Sequence, residues 1–282
     1  MKPRRDLVVV GASAGGLPAL QTLLRELPGE LPMAMLVVVH SSPESPGGLA
    51  DVLNRGSTYP VSYARDGLEI RYGHVYLAPP DLHLTTDDGH LAVRHGPREN
   101  RFRPAVDPLF RSAAASHGER VIAIVLSGSL DDGTHGLAVV KDHGGIAIVQ
   151  SEEDALVPHM PVSAAHAVAV DHVLPAAEMA RVIAGLVGKS ERTTSRRAAG
   201  RSTAKKKAAA DPPPPADPTE TPTVLTCPDC GGALWELEDH GTLRYRCHVG
   251  HGMTSEGLAR LPKGAVPGPR ALRPVRRGTQ RG

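Results

Sequence analysis

The chain is poor in cysteine and aromatic residues, and it has no long apolar run. Three Cys in 282 residues exclude a disulfide framework and fit a reducing compartment. No apolar run approaches the roughly 20 residues that a membrane-spanning helix needs. The first apolar run, Leu7–Val10, is too short for a signal peptide, and no cleavage site follows it. We therefore expect a soluble cytoplasmic protein.

The small net charge conceals two basic segments. Residues 189–223 hold eight Lys or Arg against four Asp or Glu, and residues 262–282 hold six Lys or Arg and no acidic residue. Because the whole chain carries only +2, the remaining parts are acidic. Basic segments of this kind can touch nucleic acid or anionic surfaces, but they are more often solvated and disordered. We therefore do not expect a nucleic-acid partner.

Apolar runs alternate with helical patterns over residues 1–188. The predicted strands are Leu7–Val10, Met33–Val39, Val121–Leu126, Ile146–Val149 and Val168–Val170, with a hairpin turn at Asp87–Gly89. The predicted helices are Leu17–Leu27, Thr134 to Gly144 and Ala176–Val187, with further helix starts at Ser45-Pro46 and Asp107-Pro108. Near-continuous apolar strands separated by helices indicate an α/β fold, a doubly wound and mostly parallel sheet with helices on both faces.

The composition divides the rest of the chain into three parts. Residues 189–223 form a basic, Pro-rich segment typical of a disordered linker. Residues 224–261 contain all the cysteines and read as a small compact unit, and residues 262–282 form a basic disordered tail. The predicted architecture is thus an α/β domain over residues 1–188 and a small C-terminal unit on a linker.

A glycine-rich turn, Gly11–Gly16, follows the first strand and opens a helix. Its spacing, G-x-x-x-G-G, does not match the dinucleotide fingerprint, and it lacks the Lys-Ser/Thr end of a phosphate loop. It does fit G-x-S-x-G, a tight turn that projects the hydroxyl of Ser13 above the sheet edge. Free N–H groups at the helix start can stabilise an oxyanion. The alternative is a structural turn that happens to contain a serine.

A serine nucleophile needs a base, and the base needs an orienting acid. His40 ends the second apolar run and so lies at the same edge of the sheet as Ser13, because parallel strands end together. Asp131 and Asp132 follow the third run, and both are candidates for the acid. The alternatives are a polar strand cap at His40 and an ordinary turn or helix cap at the Asp pair.

Several segments carry a resemblance to a known family. In chain order they are VVVGASAGGLPAL, VVVH, VYLAPPDLHL, RPAVDPLFRSAA, VLSGSLDDGTHGL, GGIAIVQ and MPVSAA. Together they resemble the CheB-type protein-glutamate methylesterase domain, over about residues 6–187 and in the family's order. The resemblance implies a doubly wound parallel α/β sheet.

The resemblance also implies a reaction and its residues. It assigns the nucleophile to Ser13, the general base to His40 and the acid to Asp132, with Asp131 as the rival acid. The implied reaction hydrolyses glutamate γ-methyl esters on the cytoplasmic domains of methylated chemoreceptors, releases methanol and extends to glutamine deamidation. This chemistry uses no catalytic cofactor. The alternative is a catalytically idle signalling adaptor that binds a protein or nucleic acid through the fold and the C-terminal unit.

The chain departs from the family's pattern at three points. Because the esterase motif begins at Gly11, we expect no receiver domain ahead of it and no control by aspartyl phosphorylation within the chain. Ala14 follows the nucleophile where many members have Thr, and Gly128–Leu130 stands where Gly-Met-Gly is common. The last two changes lie beside the proposed site and affect the choice of receptor more than hydrolysis.

The C-terminal cysteines have metal-ligand spacing. Cys227 and Cys230 form a Cys-x-x-Cys pair, and Cys247 follows after sixteen residues, which is typical of a zinc ribbon. We predict a structural Zn²⁺ with His251 as fourth ligand and His248 as the alternative, since a unit of about 38 residues buries little core by itself. A redox-active or incidental Cys pair is the other interpretation. The predicted hairpin core consists of Trp235, Leu237, Leu243 and Tyr245.

Overall fold

The computed structural model describes residues 5–187 and 221–259. The strands of the first range are β1 (Leu7–Ala12), β2 (Ala34–Val39), β3 (Val61–Tyr63), β4 (Val75–Leu77), β5 (His83–Asp87), β6 (His90–Arg94), β7 (Val121–Val125), β8 (Ile146–Gln150) and β9 (His172–Leu174). Its helices are α1 (Gly16–Glu26), α2 (Leu49–Asn54), α3 (Val106–His117), α4 (Thr134–Asp142), α5 (His159–Ala167) and α6 (Ala176–Leu186), with a 3₁₀ turn at Gly118–Arg120.

Seven strands form one sheet in the order β3-β4-β2-β1-β7-β8-β9. Every neighbouring pair is parallel. All residues of β1 are buried, as expected for a central strand that is covered on both faces. The predicted doubly wound α/β class is confirmed.

Two apolar cores lie on opposite faces of this sheet. On one face, Leu7 and Val9 of β1 pack with the buried residues of α3, α4 and α5. On the other face, Val8 and Val10 pack with those of α1, α2 and α6. The alternation of side chains along β1 therefore serves both layers, and the sheet is a rigid platform for groups at its edge.

The chain adds strands to the two sides of β1 in turn, first β2 and its neighbours on one side and later β7 to β9 on the other. The neighbours of β1 are β2 and β7, and Ala12 at the end of β1 lies beside Val39 at the end of β2. On the other side, Gly11 pairs with Val125 at the end of β7. In open α/β sheets, such a switch point at the carboxyl edge is the usual place for a binding site. The three segments that follow β1, β2 and β7 carry the candidate residues.

The structure confirms the hairpin and corrects two other local predictions. The strands β5 and β6 pair through the turn at Asp88-Gly89, as predicted. The predicted strand Val168–Val170 is wrong, because Val168 ends helix α5 and the edge strand begins at His172. Helix α2 begins at Leu49, after the positive φ of Gly47 has interrupted the chain beyond Ser45-Pro46.

The second described range, residues 221–259, forms a small antiparallel sheet and a short helix. The elements are β10 (Thr221–Thr226), β11 (Ala233–Asp239), β12 (Thr242–Cys247), β13 (Gly252–Thr254) and α7 (Ser255–Ala259). The strands pair in chain order, β10-β11-β12-β13. The buried apolar cluster of this unit comprises Cys227, Leu234, Tyr245, Cys247 and Met253.

The core of the C-terminal unit differs from the prediction. Of the four residues proposed for it, only Tyr245 is buried, and Leu243 is 37% exposed. For the two residues of β11, Trp235 and Leu237, the reason is strand parity. Glu236 lies opposite Tyr245, so the face that carries Tyr245 also carries Leu234, whereas Trp235 points to the other face. The predicted hairpin is present as the antiparallel pair β11–β12, but the prediction placed the wrong face of β11 inward.

Part of the predicted domain organisation lies outside the described residues. This applies to residues 189–220 of the predicted linker and to the predicted tail, 262–282. Within the two described ranges, none of the helices combines the length and the apolar character needed to cross a bilayer.

Candidate active site

Ser13 lies in the tight turn between β1 and α1. Its backbone N–H donates to the carbonyl of Ser127, which follows β7, at 2.9 Å, and its own carbonyl accepts from the N–H of Gly16 at 2.9 Å. Gly15 has a φ of 72°, and a Cβ there would lie 2.8 Å from the Ser127 hydroxyl. Only glycine fits this position, so the glycine-rich sequence is required to hold Ser13 at the sheet edge.

His40 follows β2 and reaches across to Ser13. Its backbone N–H donates to the carbonyl of Ala12 at 3.0 Å, which fixes it beside the end of β1. The ring is nearly buried, with 4% of the side chain exposed, and it stacks on Phe102 with ring centroids 3.6 Å apart. The Nδ1 atom of His40 lies 3.0 Å from the Ser13 Oγ. The imidazole is thus held from two sides in hydrogen-bond reach of the serine.

Asp132 is the carboxylate that contacts the other side of the imidazole. The Asp132 Oδ2 atom lies 2.7 Å from the His40 Nε2 and also accepts from the Val106 N–H at 2.7 Å. The Asp132 Oδ1 atom accepts from the Asn100 amide at 2.8 Å and from the Asp107 N–H at 3.2 Å. The side chain of Asp132 is completely buried. Four donors therefore hold one buried carboxylate in a fixed orientation.

Asp131, the rival for the acid role, contacts the C-terminal unit. Its Oδ2 atom accepts a hydrogen bond from the hydroxyl of Thr254 in β13. Both residues are buried, each with 2% exposed. The two neighbouring carboxylates thus serve different partners, Asp132 the imidazole and Asp131 the C-terminal unit.

The hydrogen bonds determine which nitrogen of His40 carries the proton. Burial raises the pKa of Asp132, but the hydrogen bond and the charge of His40, with the bonds from Val106 and Asn100, outweigh it and hold the pKa below the usual value. An ionised carboxylate only accepts, so the Nε2 of His40 donates to it. The Nδ1 is then left as the acceptor for the hydroxyl proton of Ser13.

A second buried carboxylate, Asp107, lies beside Asp132. The Asn100 amide donates to both, at 2.8 Å to each. The other oxygen of Asp107 accepts from the N–H groups of Gly133 and Gly136 at 3.1 and 2.7 Å. Burial, and next the charge of Asp132, raise the pKa of Asp107 to about 7. The two carboxylates are therefore pushed apart in pKa, and Asp132 is the one that stays ionised.

Asn100, Phe102 and the role of Asp107 were not predicted from the sequence. Asp107 stood out only as a helix-start residue before Pro108, and it does occupy the first turn of α3. Asn100 and Phe102 lie in a segment without apolar periodicity or motif, so no local signal pointed to them. Their contacts depend on where the tertiary fold places that segment.

The metal-ligand candidates also come together. The nearest ligand atoms of Cys227, Cys230, Cys247 and His251 lie within 4.8 Å of one another. The sulfurs of Cys230 and Cys247 are 3.5 Å apart, and the His251 Nδ1 lies 3.7 Å from Cys227 and 3.5 Å from Cys247. A tetrahedral zinc with Zn–S of about 2.3 Å places its ligand atoms about 3.5–3.8 Å apart. This donor set therefore fits a zinc ion.

His248, the alternative fourth ligand, is not part of this cluster. Its ring lies against Gly232, where an added Cβ would collide with it. The turn after Cys247 explains why His251 joins the cluster. The Cys247 N–H donates to the carbonyl of His251 at 3.0 Å, which brings that residue back towards the sulfurs. The structure therefore places His251, and not His248, among the cysteines.

A Ser–His–Asp array at the carboxyl edge of a parallel sheet is the arrangement found in serine hydrolases, which use it on unrelated folds. The chain matches the family model for the CheB methylesterase over residues 8–183, and it belongs to that family. The C-terminal unit lies outside the matched range.

Curated relatives and a solved structure agree with this assignment. A protein-glutamate methylesterase/protein-glutamine glutaminase of Syntrophus aciditrophicus is 39% identical over 186 residues, which are 66% of this chain and 53% of that protein. A putative enzyme of the same name from Leptospira interrogans is 34% identical over 178 residues, covering 63% of this chain and 92% of the relative. The chain thus spans about half the length of the first relative and nearly all of the second.

The solved structure is the CheB methylesterase catalytic domain of Thermotoga maritima. It is 34% identical to this chain, with a TM-score of 0.63, and the match covers 66% of this chain and all of that domain. The likeness covers the α/β domain, where the Ser–His–Asp array lies.

The raised pKa of Asp107 predicts a pH-dependent stability. The folded protein keeps the Asp107 proton up to about pH 7, whereas the unfolded chain loses it at about pH 4. Through this group, the free energy of unfolding therefore decreases as the pH rises from about 4 to about 7. In Asp107→Asn this decrease is absent. Urea unfolding at about pH 5 and about pH 8 measures it.

Asp51→Asn, which removes an exposed carboxylate of α2, is the matched control for the substitution itself. If Asp107→Asn showed the same change in unfolding free energy between the two pH values as the wild type, Asp107 would titrate as an ordinary carboxyl group, contrary to this account.

Proposed function

We propose that this protein is a protein-glutamate methylesterase that hydrolyses glutamate γ-methyl esters on the cytoplasmic domains of chemotaxis-type receptors. The observation that carries the proposal is the 3.0 Å contact between the Ser13 Oγ and the His40 Nδ1, with His40 bound to the buried Asp132. The names of the relatives support a methyl ester of protein glutamate as the substrate and add a glutaminase activity on protein glutamine. Because these receptor domains are cytoplasmic, an enzyme that acts on them would also work in the cytoplasm.

In the first half of the proposed reaction, Ser13 attacks the ester carbonyl while the Nδ1 of His40 takes the hydroxyl proton. Asp132 stabilises the imidazolium that forms, since its carboxylate is already hydrogen-bonded to the Nε2 of the ring. The N–H of Ala14, in the turn at the start of α1, is our candidate donor to the oxyanion. The acyl–oxygen bond then breaks, and His40 returns the proton to the methoxide, which leaves as methanol.

In the second half, water hydrolyses the acyl-serine. His40 removes a proton from the water, the hydroxide adds to the carbonyl, and Ser13 leaves with the proton that His40 returns. The product is a receptor glutamate, and the enzyme is unchanged. Glutamine deamidation follows the same two halves with ammonia as the first leaving group. All proton transfers take place at one nitrogen, Nδ1, which the structure positions against Ser13.

Replacement of Ser13 tests the nucleophile. Ser13→Ala removes the attacking oxygen, so methanol release from methylated receptor membranes should fall by about 10⁴-fold or more. The matched control is Ser42→Ala, because Ser42 is an exposed serine two residues from His40 and outside the array. It should release methanol at the wild-type rate. Gas chromatography of the released methanol measures both.

Methanol release that survives Ser13→Ala would contradict the serine mechanism. No release by the folded wild-type protein from any methylated receptor tested would instead favour the idle adaptor.

We also propose that Cys227, Cys230, Cys247 and His251 hold one structural zinc ion in a zinc-ribbon-like unit. The support is the close approach of the four ligand atoms. Four ligands complete the tetrahedral coordination of zinc, so no position is left open for catalysis. Zinc binds cysteine as the thiolate, so metal binding at this site would release the thiol protons of the ligand cysteines. The ion would link the β10–β11 loop to the β12–β13 turn.

The metal content of the purified protein tests this site. We expect one zinc per chain by elemental analysis, and loss of most of it in Cys230→Ser, because an oxygen replaces one thiolate ligand. Asp229→Asn is the matched control, since Asp229 lies between the two ligand cysteines but is not a member of the cluster. A wild-type protein free of zinc after growth in zinc-supplemented medium would contradict the proposal.

A further inference from the structure

The segment Arg98–Phe102 lies between the candidate triad and the C-terminal unit. On the triad side, the Asn100 amide donates to Asp132, and the ring of Phe102 stacks on His40. The turn is closed by the Phe102 N–H, which donates to the Glu99 carbonyl at 2.8 Å. Two side chains of one short segment therefore contact two members of the triad.

The other side of the same segment pairs with strand β13 of the C-terminal unit. The Asn100 N–H donates to the carbonyl of Gly252 at 2.7 Å, and the Gly252 N–H donates to the carbonyl of Arg98 at 3.3 Å. Glu99 and Gly252 thus form a parallel bridge between the two parts of the chain. The backbone of Asn100 is bound by the C-terminal unit while its side chain holds the triad acid.

A network of charges reinforces this pairing. Glu99 accepts from Arg111 of α3 at 2.6 Å and from Arg244 of β12 at 3.0 Å. Burial raises the pKa of Glu99, but the two guanidinium groups outweigh it and hold the pKa well below the usual range. The two Arg side chains are 26% and 10% exposed, so solvent screens the pairs weakly. Glu99 therefore joins the α/β domain to the C-terminal unit as an ionised group.

The C-terminal unit also contacts the neighbour of the triad acid. Thr254 of β13 donates its hydroxyl to Asp131, and the same hydroxyl accepts from the Gly257 N–H at 3.0 Å. Strand β13 therefore contacts two neighbours of Asp132, namely Asn100, which donates to its carboxylate, and Asp131, which is adjacent in sequence.

The backbone of the segment needs such support. Asn100 and Arg101 have φ values of 48° and 72°, in the left-handed region that residues with a side chain seldom adopt. Such a conformation persists where surrounding contacts hold it. The hydrogen bond that the Asn100 N–H donates to the carbonyl of Gly252 is a contact of this kind.

We propose that the C-terminal unit is a positioning element for the candidate triad, acting through β13 on Asn100 and Asp131 and thereby on Asp132 and His40. The positioning residues are Thr254 of the C-terminal unit and Asn100 of the segment that pairs with it. The cluster of Cys227, Cys230, Cys247 and His251 precedes β13 directly, because His251 is followed by Gly252. A bound metal would thus stabilise the strand that holds Asn100. The inference rests on the proposed role of the triad but not on the receptor substrate.

Phosphonylation of Ser13 by a fluorophosphonate in the full-length protein tests the inference without a receptor. In this reaction, the Ser13 oxygen–phosphorus bond forms, fluoride leaves and His40 takes the proton. Thr254→Val removes the hydroxyl bound to Asp131, and we expect the second-order rate constant to fall by about tenfold. Thr254→Ser, which keeps the hydroxyl, restores the rate. Thr223→Val is the matched control, since the Thr223 hydroxyl donates within the unit, to Leu234.

Amide hydrogen exchange is a second measurement on the same variants, and it does not depend on activity. The Asn100 N–H, which donates to Gly252, should exchange about tenfold faster in Thr254→Val than in the wild type and in Thr223→Val. Unchanged phosphonylation and unchanged Asn100 exchange in a folded Thr254→Val protein would overturn the inference, and so would a loss of rate that Thr254→Ser does not restore.

The outcomes separate this inference from the proposed function. If phosphonylation depends on Thr254 but the wild type releases no methanol from receptor membranes, the positioning role stands and the substrate proposal fails. If Thr254→Val releases methanol at the wild-type rate, the positioning role is overturned and the methylesterase proposal stands.

Discussion

The site depends on one buried charge, the carboxylate of Asp132. A carboxylate that is removed from water is tolerated only when donors replace its hydration, and here four donors do so. Two of them, the N–H groups of Val106 and Asp107, come from the first turn of α3, where unpaired N–H groups favour a negative charge. The remaining donors are the imidazole and the Asn100 amide, so the requirement to satisfy this charge also fixes the orientation of His40.

The parallel sheet supplies the other half of the geometry. Because β2 and β7 flank β1, the segments that carry His40, Ser13 and Asp132 leave the sheet at one edge. The strands are buried on both faces, which fixes their register and leaves only the following turns to be adjusted. The result is a serine, an imidazole and a carboxylate in line, with the imidazole nearly removed from water.

The sequence was sufficient for what depends on local pattern. Apolar runs predicted the parallel sheet, the glycine spacing identified the turn at Ser13, and the position of His40 at a strand end placed it beside that serine. The residues alone could not decide whether Asp131 or Asp132 contacts His40. The answer depends on the local path of the backbone, where Leu130 has a φ of 64°. Asn100 had no signal at all, since its role arises from contacts with residues distant in sequence.

The most direct test of the account replaces each of the two adjacent carboxylates in turn and measures kcat for methanol release. In Asp132→Asn an amide replaces the acceptor of the His40 Nε2 proton, and kcat should fall by about 10⁴-fold with little change in KM. Asp131→Asn keeps an oxygen that can accept from Thr254, and kcat should fall by less than about tenfold. Equal losses in the two variants, or a larger loss in Asp131→Asn, would contradict the account.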